Sequence, residues 1–210
     1  AERAFSTSED VDGLVDDAER AILEIASERY HQNIGSMRDI IKTTFPYLEE
    51  LYERKELVTG VPTGFNDFDR MTAGLQAGEL TIAAGRPSMG KTAFALRIAE
   101  YAAIGAKVPV AFFSLEMNTR HLAIRMMCGR AGVNSRQLMT GFMPSNGWPL
   151  LIRAAGELSE APFFVDDSTD LTVFDIKAKC RRLLAESGLG FVVVDYLQLL
   201  SHRGRRNESR

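Results

Sequence analysis

The stretch Gly85-Arg86-Pro87-Ser88-Met89-Gly90-Lys91-Thr92 constrains the fold of this chain more than any other part of it. It matches GxxxxGK[ST] in full. An apolar run at 80–84 (LTIAA) precedes it and a helical pattern over 91–104 follows it, which is the strand–loop–helix context that the pattern needs. Gly85 and Gly90 let the backbone wrap closely, so that consecutive N–H groups converge on phosphate oxygens. A helix that starts near Lys91 adds its positive end. Lys91 is expected to reach the β- and γ-phosphates of a nucleotide and the Thr92 hydroxyl to ligate Mg²⁺. Arg86, Pro87, Ser88 and Met89 supply the backbone in between, so all eight residues are candidates for nucleotide binding.

Beyond this loop the chain alternates between strands and helices. Residues 108–114 (VPVAFFS), 163–166 (FFVD) and 191–195 (FVVVD) read as further buried strands, and 119–131, 145–160 and 172–186 as helices. Thr172 is the expected N-cap of the last helix, with Asp175 three residues on as in a capping box. Continuous apolar runs separated by helices predict a parallel sheet covered on both faces.

Ahead of the loop the pattern is helical. Val11, Val15, Ala18, Ile22 and Ile25 recur at steps of 4, 3, 4 and 3, which is a single helical stripe. A lone helix of this length does not hold itself together in water, so the stripe needs a partner surface on its own domain or on another chain. A second helix is expected over 36–54, with Met37, Ile40, Ile41, Leu48 and Leu51 on one side. Pro46 inside it is expected to kink or restart it. The turn-rich 60–65 (GVPTGF) leads into a short stretch over 65–71.

Asp195 ends the apolar residues 191–194, at the sheet edge where an acid of a phosphate-loop protein holds Mg²⁺. Hydrolysis also needs a group to orient the attacking water. The residue after Asp195 is Tyr196, not Glu, so that group must come from elsewhere. Glu116 follows strand 108–114 and so emerges at the same edge as the phosphate loop. Asp166 and Asp167 end the third strand and read as local capping or polar packing. His121, Met126 and Met127 lie in a helical stretch and read as packing.

The formal net charge of −3 hides an uneven distribution. Residues 1–30 carry nine acids against three arginines, and 201–210 carry four arginines against one Glu. The four arginines suit phosphates, but no aromatic residue is interleaved for base stacking, and the tail reads first as a polar loop. A hydrophobic share of 45% with 12 Phe and 5 Tyr excludes disorder as the main state. No apolar run approaches a bilayer span, and the acidic first 30 residues do not read as a signal peptide. Cys128 and Cys180 form no CxxC pair, so neither a zinc site nor a disulfide is expected. A cytoplasmic location without membrane partners is the simplest expectation.

Three stretches together resemble the DnaB-type replicative DNA helicase family: 60–96 (GVPTGFNDFDRMTAGLQAGELTIAAGRPSMGKTAFAL), 112–117 (FFSLEM) and 192–200 (VVVDYLQLL). The resemblance spans roughly 12–202, and GRPSMGKT with the SLEM strand end separates this family from other RecA-like ATPases. It implies an α/β fold: a RecA-like P-loop NTPase core with a parallel sheet flanked by helices, preceded by a helical linker. It further implies ATP and Mg²⁺, a homo-hexameric ring, and ATP-driven 5′ to 3′ movement on single-stranded DNA that unwinds duplex at the replication fork. Primase and a helicase loader are the implied partners. Glu116 is assigned the role of catalytic glutamate beside Lys91, with Thr92 and Asp195 on the metal. Residues 12–30 become the linker helix that docks on a neighbouring subunit. The expected division is therefore a linker region over 1–35 and an ATPase core over 36–210.

Two departures stand out. The family's amino-terminal collar, which contacts primase, has no counterpart before residue 12. Its glutamine-containing sensor strand, main DNA-contacting loops and arginine finger lie downstream of this sequence. The expectation is the first half of a motor domain, weakly active or inactive alone. Two other readings stay open: a RecA-like ATPase of recombinase or clock type, and a non-hydrolysing nucleotide-binding or oligomerisation module. A nucleotide kinase fits less well, since it needs no water-orienting Glu116.

Overall fold

A computed structural model describes residues 36–201. The expected linker helix over 12–30 and the arginine tail over 202–210 lie outside the described residues. The chain divides into two compact units, one ending at Lys55 and the other starting at Glu56.

In the first unit, helix α1 runs from Met37 to Arg54. Ser36 caps it, its hydroxyl oxygen accepting from the Asp39 N–H at 3.3 Å, and Lys55 closes it in the left-handed region. Pro46 neither restarts nor ends the helix, which stays continuous through it. A proline removes one backbone donor, and on an exposed helix water can serve the carbonyl left over. The expected apolar positions Met37, Ile40, Ile41 and Leu48 are present but exposed, and no residue of this helix is buried among the described residues.

The second unit is built on a three-stranded parallel sheet of β1 (Val110–Ser114), β2 (Phe163–Asp166) and β3 (Phe191–Asp195), in the order β2-β1-β3. Val110 pairs with Phe163 on one side and with Phe191 on the other. Its helices are α2 (Asn66–Thr72), α3 (Lys91–Glu100), α4 (Thr119–Ala131), α5 (Ser135–Met139), α6 (Gly147–Ser159) and α7 (Val173–Ser187). A single π-helical turn, Tyr101–Gly105, extends α3. Thr172 and Asp175 form the expected capping box at the start of α7.

The strand period of two assigns the core to two faces. Val110 and Phe112 of β1 pack with Leu96 and Ala99 of α3 and with Leu122 and Met126 of α4. Ala111 and Phe113 point the other way, against Ile176, Cys180 and Leu183 of α7. Every residue of β1 is buried, as expected for a central parallel strand with helices on both sides.

One expected strand is not formed. Residues 80–84 join no strand ladder among the described residues and are exposed, Leu80 at 80% and Ile82 at 67%. An apolar run becomes a strand only where a neighbouring edge and a covering layer make its burial favourable. Here β3 keeps its outer edge without a ladder partner among the described residues.

Asp69 of α2 shapes the turn at 60–65. Its buried carboxylate accepts from the Thr63 N–H at 3.0 Å, the Thr63 hydroxyl at 2.7 Å and the Gly64 N–H at 3.2 Å. Gly64 has a φ of +80°, and a Cβ there would lie 2.6 Å from the Tyr101 ring. Phe65 and Phe94, with ring centroids 5.2 Å apart, tie this turn to α3.

An ion-pair chain fastens α3, α4 and α6. The Glu100 carboxylate, 5% exposed, accepts from Arg97 at 3.2 Å and from Arg130 at 3.4 Å. Arg130 also bonds Glu157, which in turn takes Arg153. Replacing Arg130 by methionine strips Glu100 of its cross-helix partner and is expected to cost about 1–2 kcal/mol in urea unfolding. The Arg130 bond, followed by that of Arg153, holds the Glu157 carboxyl below the usual glutamate range. That contribution is complete above the ordinary glutamate pKa and disappears as pH falls through the lowered value. The stability gap between wild type and Arg130→Met should therefore narrow in acid. A gap that widens in acid would contradict this account of the ion pairs.

Candidate functional site

The loop 85–92 crosses from the exposed stretch before it into α3. The Met89 N–H donates to the Arg86 carbonyl at 3.3 Å, closing a turn in which Ser88 has a φ of +65° and Gly90 of +89°. Gly90 supplies the left-handed residue before the helix, and its carbonyl accepts from the Phe94 N–H at 2.9 Å. Ser88 holds a left-handed conformation with a Cβ, at a cost of roughly 1–2 kcal/mol. A Cβ on Gly85 would meet the Lys91 Cγ at 3.5 Å, an ordinary contact. The backbone shape therefore demands glycine at 90 and not at 85. No side chain caps the start of α3, which leaves the first-turn N–H groups to another acceptor. Residues 85–90, Pro87 and Met89 among them, are exposed, whereas Lys91 and Thr92 are half-buried.

The Lys91 stem passes beside Gly85, and its ammonium lies over the Tyr196 ring, 5.5 Å from the centroid. Tyr196 directly follows β3, and the Asp195–Tyr196 peptide is cis. Thus Lys91 sits beside the strand end that carries Asp195. The Asp195 carbonyl accepts from the Leu115 N–H at 2.8 Å. Its side chain is 5% exposed, and the buried Oδ2 has no hydrogen-bond partner.

A buried carboxylate oxygen without a partner is costly, and a hard cation would satisfy it. Thr92 opens α3 beside Lys91, and its hydroxyl makes no hydrogen bond among the described residues. One carboxylate with one hydroxyl is the kind of oxygen donor set that Mg²⁺ takes alongside substrate phosphates. Among the described residues no cluster of three or more His, Cys, Asp or Glu forms a protein-only metal cage. The donors present fit Mg²⁺ bound with a nucleotide.

Glu116 lies two residues past Ser114, the end of β1, and Ser114 pairs in register with Asp195. Glu116 and Asp195 therefore leave adjacent strands at one edge of the sheet, the carboxyl edge where open α/β sheets take their ligands. The Ser114 hydroxyl donates to the Met117 carbonyl at 2.7 Å and shapes the turn that carries Glu116. Glu116 is exposed and makes no hydrogen bond or ion pair among the described residues.

Asp166 and Asp167 are engaged elsewhere, as capping and packing. Asp167 accepts from the Thr119 N–H at 2.8 Å at the start of α4. Burial raises the Asp166 carboxyl, but its bonds with Lys179 and Ser168 outweigh this and hold it below the usual range. The contributor that sequence reasoning missed is the Tyr196 ring. Only the position of Tyr196, directly after a strand-terminal acid, marked it.

The described helices include none long and apolar enough to cross a membrane. The replicative DNA helicase DnaB of Geobacillus stearothermophilus is 43% identical over all of this chain, which spans 46% of that relative. The replicative DNA helicase DnaC of Bacillus subtilis (strain 168) is 41% identical over the whole chain, again at 46% of the relative. The chain thus spans about half the length of these relatives. Among solved structures, an ATPase domain aligns with a TM-score of 0.74 at 32% identity, covering 84% of this chain and 62% of that one. A DnaB-like replicative helicase, solved to show its interactions with primase, aligns with a TM-score of 0.71 at 32% identity, covering 84% and 42%. These neighbours agree with the RecA-like arrangement of helices on a parallel sheet. Residues 60–210 match the family model of the DnaB-like helicase C-terminal domain, and the chain belongs to that family.

Proposed function

We propose that this chain is the nucleotide-binding part of an ATP-dependent DNA helicase motor, which hydrolyses ATP to move on single-stranded DNA and unwind duplex. The observation that carries the reading is the meeting of Lys91 with the strand end of Asp195, whose buried carboxylate oxygen has no partner. In this reading the backbone N–H groups of residues 85–92 take the phosphate oxygens, and the α3 start adds its positive end. The Lys91 ammonium lies on the β- and γ-phosphates. Thr92 and Asp195 hold Mg²⁺, which when bound neutralises phosphate charge that builds up in the transition state.

Glu116 orients the attacking water from the end of β1 and takes up its proton as the water oxygen bonds to the terminal phosphorus. The bond from that phosphorus to the bridging oxygen breaks, and ADP leaves with the electron pair. Transition-state charge needs a further cation, and a neighbouring subunit of a ring supplies it in trans. Turnover then depends on assembly, with the stripe over 12–30 as the docking element. In this reading residues 1–35 form the linker region and 36–210 the ATPase core. Single-stranded DNA is the track, and primase and a loader are the protein partners. The cytoplasm is the setting.

Strand displacement tests this reading, on a forked duplex bearing a free 5′ arm in ATP and Mg²⁺, for this chain alone and for a full-length DnaB relative in which it replaces the matching stretch. The chain alone is expected to bind ATP with little turnover and no displacement, because the further cation comes in trans. The full-length chimera is expected to displace the strand with ATP and to hydrolyse faster on single-stranded DNA. A chimera that binds ATP but shows hydrolysis indifferent to DNA and no displacement would contradict the reading and favour a nucleotide-binding module.

A further inference from the structure

The Lys91 ammonium makes no hydrogen bond or ion pair among the described residues, yet it has a defined place over the face of Tyr196. The separation of 5.5 Å lies within the cation–π range. The ring stands on a fixed platform. Asp195, just before it, is paired in the sheet with Ser114, and its carbonyl accepts from the Leu115 N–H at 2.8 Å. The Tyr196 carbonyl accepts from the Leu199 N–H at 3.1 Å, and the side chain is half-buried. Lys91, by contrast, carries its charge on a flexible four-carbon stem.

We infer that Tyr196 is a positioning residue for the phosphate-binding lysine: its ring face holds the Lys91 ammonium over the start of the loop before nucleotide arrives. This rests on the reading that residues 85–92 bind a triphosphate. An ammonium already held in place gives up less rotamer freedom when the phosphates bind. A ring also suits the task better than a carboxylate would. It draws the ammonium electrostatically without neutralising it, occupies only one side of it, and leaves N–H donors for phosphate oxygens. The contact needs the aromatic face and not the hydroxyl.

The test is calorimetric titration of the chain with ATP and Mg²⁺, for Tyr196→Phe, Tyr196→Leu and Tyr196→Met, each alone and combined with Lys91→Met. The two non-aromatic variants guard against one failing to fold, and thermal melts report folding for all. Tyr196→Phe is expected to bind within about twofold of wild type, and Tyr196→Leu and Tyr196→Met to bind about 2–5-fold more weakly. In the Lys91→Met background the same substitutions should change nothing further. Equal weakening with and without Lys91, no weakening at all, or a Phe variant as poor as Leu would each overturn the role of the ring. If Lys91→Met itself leaves ATP affinity unchanged, the phosphate-site reading falls and this inference with it.

Discussion

Replacing Glu116 by glutamine is expected to slow ATP hydrolysis by about 10²–10⁴-fold, the span usual for loss of a general base. The amide keeps the size of the side chain but no longer accepts a proton from water. Glu116 is exposed and bonds nothing among the described residues, so the exchange leaves the fold unchanged. ATP affinity should also hold within about twofold, because the proposed contact is with water rather than with phosphate. Single-turnover hydrolysis, with protein in excess over labelled ATP, reads the slow rates that this requires. A fall of less than about tenfold would move the water-orienting role to another residue, because a base in that place contributes more. A parallel loss of ATP affinity would instead put Glu116 in the binding site itself.

The position of Glu116 follows from chain direction alone. In a parallel sheet every strand ends at the same edge, so acids at strand ends gather there whatever their separation in sequence. This is why the alignment of Asp195 and Glu116 at one edge is legible in the sequence. The three strands at 110–114, 163–166 and 191–195 are legible for a related reason. Short apolar runs bounded by turns and helices have few alternatives in an α/β chain. The capping box at Thr172 and Asp175 is a local pattern, and local patterns survive in the fold.

Residues 80–84 show where that legibility stops. Their composition is that of a strand, but a strand is a relation between two edges, and LTIAA carries no information about whether an edge is taken. Pro46 is the converse case. A residue that breaks buried helices is tolerated in α1, where no residue is buried. The Tyr196 contact was illegible because it depends on where the α3 start lies relative to the β3 end. The pattern GxxxxGK[ST] specifies what Lys91 does with phosphate and says nothing of what holds it beforehand. Ser88 is a candidate from the loop pattern, but nothing in the residue type marks its left-handed backbone.

The central claim, that residues 85–92 bind a triphosphate through Lys91, is tested most directly by equilibrium binding of ATP with Mg²⁺ to wild type and Lys91→Ala. Alanine is a good helix former and suits the first position of α3, so the substitution removes the ammonium with little effect on the fold. A hydrogen bond to a charged group is worth about 1.5–3 kcal/mol, which corresponds to a loss of about 10–150-fold in affinity. Saturable binding by the wild type, weakened to that extent in Lys91→Ala and for ATP more than for AMP, is the predicted result. Equal affinity of the two proteins for ATP would contradict the account at its base, because the loop would then hold no phosphate.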